Sequence, residues 1–165
     1  MTAIRPKGMH PAAFEAFLDA GVDPGRIGQT VGDAPASAGV HEPDGTLETG
    51  EAYCAATDLR LSAQYALDDA GLKDLLWRLG RHGFAAFYRN PGADHWPAGQ
   101  PKHVHIVYAG VPMKQALRDQ VHAYCHDPML NGLLSNVPYE YCQPDQGCVN
   151  MVRALFLTSG NPIDD

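Results

Sequence analysis

The chain predicts an α+β fold: a single domain over residues 1–165, with an antiparallel sheet flanked by helices. Three observations carry this. Strand-like and helix-like segments follow one another in mixed order along the 165 residues. The run Lys102-His103-Val104-His105-Ile106-Val107-Tyr108 alternates with a period of two. Leu72, Leu75, Leu76 and Leu79 fall on one face of a helix.

The elements follow in order. Residues 10–20 carry Phe14, Phe17 and Leu18 at helical spacing, and Gly21 stops them, which predicts a short helix docked on the core. Residues 26–34 read as a Gly-interrupted strand ended by Pro35. Residues 53–61 read as one buried strand whose alanines leave room around Asp58. Asp68 or Asp69 is a suitable N-cap for a helix to Arg81, closed by His82-Gly83. Residues 84–89 form the next strand, and Asn90-Pro91-Gly92 a turn. A loop over residues 94–101 delivers the chain into the histidine strand, which ends at Ala109-Gly110. Pro112 suits the start of a helix over 113–125 with Leu117, Val121 and Tyr124 inward. Residues 149–158 read equally as helix or strand, and the tail 161–165 as loose.

Composition narrows the function classes. An apolar content of 45% and a charged content of 19% are ordinary for a globular domain. A net charge of −7 with no basic cluster excludes a nucleic-acid backbone as partner. No apolar run approaches the roughly 20 residues that span a bilayer, so no membrane insertion is expected. Arg5 and Lys7 have no apolar stretch behind them, so no signal peptide is expected; the chain reads as cytoplasmic or exported by other means. Cys54, Cys125, Cys142 and Cys148 allow three pairings. A local Cys142–Cys148 bridge and four reduced thiols both stay open.

The chemistry-bearing residues are histidines and one aspartate. A strand period of two puts His103 and His105 on one face and Val104 and Ile106 on the other. On its own, His-x-His also fits two half-buried histidines with ordinary partners. With His41 and Asp58 upstream, it makes a zinc site: His41, Asp58 and His105 supply three ligands, and zinc in catalytic sites keeps a fourth position for water. His103 is then left to act on that water or on the transition state. His95 and Trp96 lie in the loop expected to overhang the site. Asp94 or His95 is placed to orient His103, His95 to hold a substrate carboxylate and Trp96 to serve as a substrate platform. A solvated histidine and a loop-anchoring tryptophan are the plainer readings. His82 and His126 suit helix C-termini; Tyr53, Tyr88 and Tyr108 suit packing.

Ser37-Ala38-Gly39-Val40-His41, Tyr53-Cys54-Ala55-Ala56-Thr57-Asp58-Leu59 and His103-Val104-His105 together resemble the zinc peptidase superfamily of lysostaphin-type endopeptidases, D-Ala-D-Ala metallopeptidases (peptidase M15-like) and the hedgehog signalling domain. The resemblance implies a hedgehog/DD-peptidase-like fold. It also implies a Zn2+ cofactor and hydrolysis of peptidoglycan peptides or D-Ala-containing peptides, with His103 beside the open coordination position. Sixteen residues separate His41 from Asp58, more than the D-Ala-D-Ala branch uses. The polar insert 42–52 carries Asp-Gly and Thr-Gly turn signals and is expected to form a surface hairpin, with Glu42, Glu48 and Glu51 solvated. Its shortening is expected to be mild. The competing functions are a zinc-binding, catalytically silent module of the same fold, a different hydrolase such as an amidase, and a metal-free domain with packed histidines.

Overall fold

The computed structural model describes residues 2–32 and 39–162. The expected positions Ala34, Pro35, Ser37 and Ala38, and the end of the tail from 163, lie outside the described residues. The elements are α1 (Pro11–Asp19), β1 (Ile27–Gln29), β2 (Gly45–Thr46), β3 (Ala52–Tyr53), β4 (Ala56–Arg60), α2 (Asp69–Arg81), β5 (Phe84–Arg89), β6 (His103–Tyr108), α3 (Gln115–Cys125) and α4 (Gln146–Thr158). Four strands form one antiparallel sheet in the order β1-β4-β6-β5, and β2 with β3 forms a separate hairpin. The α+β class, with an antiparallel sheet and flanking helices, is therefore as the sequence predicts.

Helix α1 starts at Pro11, where a missing N–H costs nothing, and His10 Nδ1 accepts from Ala12 N at 3.0 Å. Ala13, Phe14 and Phe17 set its buried face, and Phe17 meets Phe84 edge to face. Leu18, expected inward, is instead 38% exposed because that face leaves it at the rim. Helix α2 is capped by Asp68 Oδ1, which accepts from Gly71 N at 2.7 Å, and it buries Leu72, Leu75, Leu76 and Leu79. It closes at His82, whose Nδ1 donates to the Arg78 carbonyl, and at Gly83 with φ 90°. His126 caps α3, but its Nδ1 turns to the Pro128 carbonyl rather than to a helix carbonyl.

Three strand and helix expectations are corrected. The first strand is only Ile27–Gln29, because the Thr30 carbonyl turns to His41 and Gly32 N donates to the His41 carbonyl. The strand expected over 53–61 is broken at Cys54 and Ala55. There Cys54 N donates to the Gly8 carbonyl and Ala55 N to Asp44 Oδ2, which leaves β3 with the hairpin and β4 with the sheet. Helix α3 starts at Gln115 rather than 113, since Met113 N is held by Asn161 Oδ1 and Lys114 N by Asp44 Oδ1. Asn161, expected in a loose tail, is buried by that contact and by its own bond to the Val111 carbonyl.

The last segment is a helix. Asp145 caps it, and Cys148, Val152 and Phe156 are buried one turn apart. All four cysteines are free thiols. The insert forms the hairpin expected of it. Glu51, however, is not solvated alone but paired with Arg5, and Asp44 is tied to Lys114. Among the described residues, no helix is long and apolar enough to cross a membrane.

Candidate metal centre

The sheet register builds the site. Asp58 on β4 lies directly opposite His105 on β6, and His105 lies opposite Phe87 on β5. Two pairs further along, His103 lies between Arg60 and Arg89. Directly opposed residues share a sheet face, so Asp58, His103, His105, Phe87 and Arg89 all project to one side. Val104 and Ile106 project to the other side and are completely buried. His41 comes from outside the sheet, carried by the loop that follows Gly39 and Val40 and bonded back to Thr30 and Gly32.

The three expected ligands converge. His41 Nε2 stands 3.2 Å from Asp58 Oδ2, and His105 Nδ1 stands 2.9 Å from Asp58 Oδ1. The two imidazoles meet edge to face with centroids 5.6 Å apart. One donor atom from each of the three residues lies within 4.8 Å of the others, so this buried group is able to hold a metal ion. Tetrahedral donors about 2.0–2.2 Å from zinc stand about 3.4 Å from one another, the scale seen here.

The outer ring nitrogens strengthen the fit. A carbonyl oxygen only accepts, so a ring nitrogen against one carries the hydrogen. His41 Nδ1 donates to the Thr30 carbonyl at 2.8 Å, and His105 Nε2 donates to Gln120 Oε1 at 2.8 Å. His103 Nδ1 donates to the Pro101 carbonyl at 3.1 Å, and its Nε2 lies 3.7 Å from Asp58 Oδ1. An imidazole whose one hydrogen is held outward in this way aims a lone pair toward the Asp58 carboxylate. Lone pairs facing an anion need a cation or a proton between them, and outer carbonyls of this kind orient metal-ligating histidines.

The charge states agree. Burial works against ionised Asp58, but its close contacts with His105 and His41 outweigh it and hold the carboxyl well below its usual range. His41 is opposed by burial too, yet its bonds to Asp58 and Cys54 and the Asp58 charge push it up to about 10. Burial lowers His105 despite its bond to Asp58. Without a metal, one proton on His41 serves as the cation of the cluster, and it must leave when a metal takes that nitrogen.

Of the remaining expected residues, Trp96 reaches the site and His95 stands apart from it. The Trp96 ring lies 5.2 Å from that of His103, and its buried Nε1 has no hydrogen-bond partner. His95 is exposed and takes no part in the bonding of the cluster. Asp94 is a structural anchor: its Oδ1 accepts from Glu140 N and its carbonyl from Asn131 Nδ2.

Sequence reading missed Gln120 and Arg89. Gln120 is a buried polar residue on the inward face of α3, beside Val121 and between Leu117 and Tyr124. That break in the apolar stripe was its legible signal. Arg89 is 2% exposed and lies over the Phe87 ring at 4.7 Å and near the Trp96 ring at 5.8 Å. Its Nη1 donates to the Asn131 carbonyl at 2.6 Å, and burial pushes the guanidinium down to about 10. Replacing Gln120 with leucine keeps the side-chain volume while removing the acceptor that orients His105. Metal affinity should fall about 10- to 100-fold, measured by competition with a chromophoric chelator, the usual effect of losing an outer partner.

Comparison with protein-family models, with curated proteins and with solved structures finds no match to this chain.

Proposed function

We propose that the protein is a zinc-dependent metallopeptidase that hydrolyses peptidoglycan peptides or D-Ala-containing peptides. One observation supports this above the others: three imidazoles, each with its outer nitrogen on a carbonyl, turn their inner nitrogens toward one carboxylate. The donor set, two nitrogens and a carboxylate, suits zinc with one position left for water. The substrate class follows the resemblance carried by His41, Asp58 and His103-Val104-His105.

His41, Asp58 and His105 hold the ion, and Thr30 and Gln120 orient the two imidazoles. A bound zinc lowers the pKa of a coordinated water toward about 7 and polarises the scissile carbonyl. His103 Nε2 carries the proton traffic: it accepts a proton as the water oxygen bonds to the acyl carbon, then returns it to the amine nitrogen as the C–N bond breaks. Fixed by the Pro101 carbonyl and flanked by Trp96, its ring presents one nitrogen inward.

The test is metal analysis of protein purified without a metal-affinity column, followed by a muropeptide assay with and without chelator. About one zinc per chain and chelator-sensitive release of an amine are expected. Zinc without turnover identifies a silent binding module instead, and absence of zinc refutes the reading.

A further inference from the structure

Protein interiors hold few voids larger than a water molecule, so an apolar space that stays open calls for an occupant. One such space lies beside β5, the outer strand of the sheet, as a cleft of about 310 Å³. Leu76, Trp77, Ala86, Tyr124, Met129 and Cys148 line it. Ala86 pairs with Ile106 across the sheet, so it projects to the face away from Phe87, His105 and the candidate metal centre. The mouth meets solvent, since Trp77 is 47% exposed and the Lys73 side chain 51%. Small-molecule sites are clefts of roughly 300–1,000 Å³ with mainly apolar and aromatic walls, and this one falls at the lower end of that range.

The walls are fixed before anything enters. Trp77 Nε1 donates to Asp145 Oδ2 at 2.8 Å, and the Arg81 guanidinium lies 5.3 Å from the centroid of the Trp77 ring. An aromatic ring pinned in this way while partly in water is a preorganised contact surface. The polar groups around the mouth are already matched. Lys73 pairs with Asp69 at 2.9 Å, and Arg81 with Asp145 at 3.7 Å. Gln143 uses both ends, accepting from Met129 N at 2.6 Å and donating to the Tyr139 carbonyl at 3.2 Å. The buried polar side-chain atoms without a partner among the described residues, Trp96 Nε1 and Arg118 Nε, do not line the cleft. A charged ligand would therefore give up hydration here and gain no counter-charge. An uncharged one gives up little, and the Met129 thioether suits the edge of an aromatic ring. A cavity of about 150 Å³ accommodates one benzene, so a space about twice as large matches about two fused rings.

We propose that this cleft is a second binding site, which takes an uncharged aromatic molecule of about two fused rings. It does not rest on the metallopeptidase reading, because none of His41, Asp58, His103 and His105 lines it.

The test is titration of naphthalene and of 2-naphthoate into protein labelled for nitrogen–proton correlation NMR, where the indole N–H groups of Trp77 and Trp96 give one signal each. Naphthalene should shift the Trp77 signal saturably, with a Kd of about 0.1 mM or tighter, and leave Trp96 in place. The naphthoate has the same rings with a carboxylate added and should bind at least about tenfold more weakly. Ala86→Leu fills the floor of the cleft, and Cys142→Phe fills its rim, where Cys142 is half-buried. Each should weaken naphthalene binding at least about tenfold. No saturable shift at Trp77, or an equal shift at Trp96, overturns the site. Naphthoate binding as tight as that of naphthalene overturns the uncharged class. Affinity unchanged in both variants overturns the placement in this cleft; should Ala86→Leu fail to fold, unchanged affinity in Cys142→Phe alone does so.

Discussion

Replacing His105 with alanine should empty the metal centre, while replacing His103 should leave it loaded and silent. In the proposed centre His105 supplies one of three ligand atoms, and it is buried between Asp58, Gln120 and Phe87. Its loss leaves two donors, too few for a stable site. His103 bonds outward to Pro101 and stands 3.7 Å from Asp58 Oδ1, beside the cluster rather than in it. Removing an acid–base group of this kind typically costs about 10² to 10⁴ in rate. Metal content and muropeptide turnover, measured on both variants, check the pair. Equal zinc loss in the two would show that both histidines are ligands.

The second large effect is expected at Asp44→Ala, away from the metal. The Asp44 carboxylate is fully buried and accepts from Ala55 N at 2.6 Å, Lys114 N at 2.8 Å and Lys114 Nζ at 2.9 Å. Its removal leaves a largely buried ammonium and two backbone donors without their acceptor. The lysine keeps 22% of its side chain in solvent, which screens part of the loss, so about 3 kcal/mol of stability is expected. Urea denaturation midpoints at constant slope measure it. Asp44→Asn, which keeps one acceptor, should fall between.

Asp44 also bears on the expectation that shortening the insert 42–52 is mild, which rests on closure entropy alone. The hairpin instead pins three regions together. Asp44 joins Ala55, just before β4, to the start of α3, and Glu51 holds Arg5 through Nη1 at 2.6 Å and accepts from Gly8 N. Cutting it removes those anchors along with the length.

What was legible in the sequence was what periodicity and local chemistry determine. The leucines of α2, the alternation of β6 and the caps at Asp68 and Gly83 were readable because neighbours in sequence decide them. The grouping of His41, Asp58 and His105 was readable because residue type and order suffice to nominate it. The break of the β3–β4 segment was not, since its cause is a bond from Ala55 to a carboxylate eleven residues earlier. Nor was the short first strand, whose Thr30 carbonyl is claimed by an imidazole from a later loop. Arg89 read as an ordinary strand end, and only the register beside His103 brings it to the site.

The outer carbonyls of the cluster have a further consequence for how the protein matures. Thr30 follows the edge strand, Pro101 ends the long β5–β6 connection, and Gln120 sits on a helix added afterwards in the chain. Two of the three rings, His41 and His105, take their orientation from partners 11 and 15 residues away in the chain. The centre is thus a late property of the chain, absent from any half-assembled form. In the proposed metal centre, ion uptake would then work as a lock that closes only over a completed architecture. Hydrogen exchange around Thr30, His41 and Gln120 should slow together, as one cooperative unit, when the ion enters.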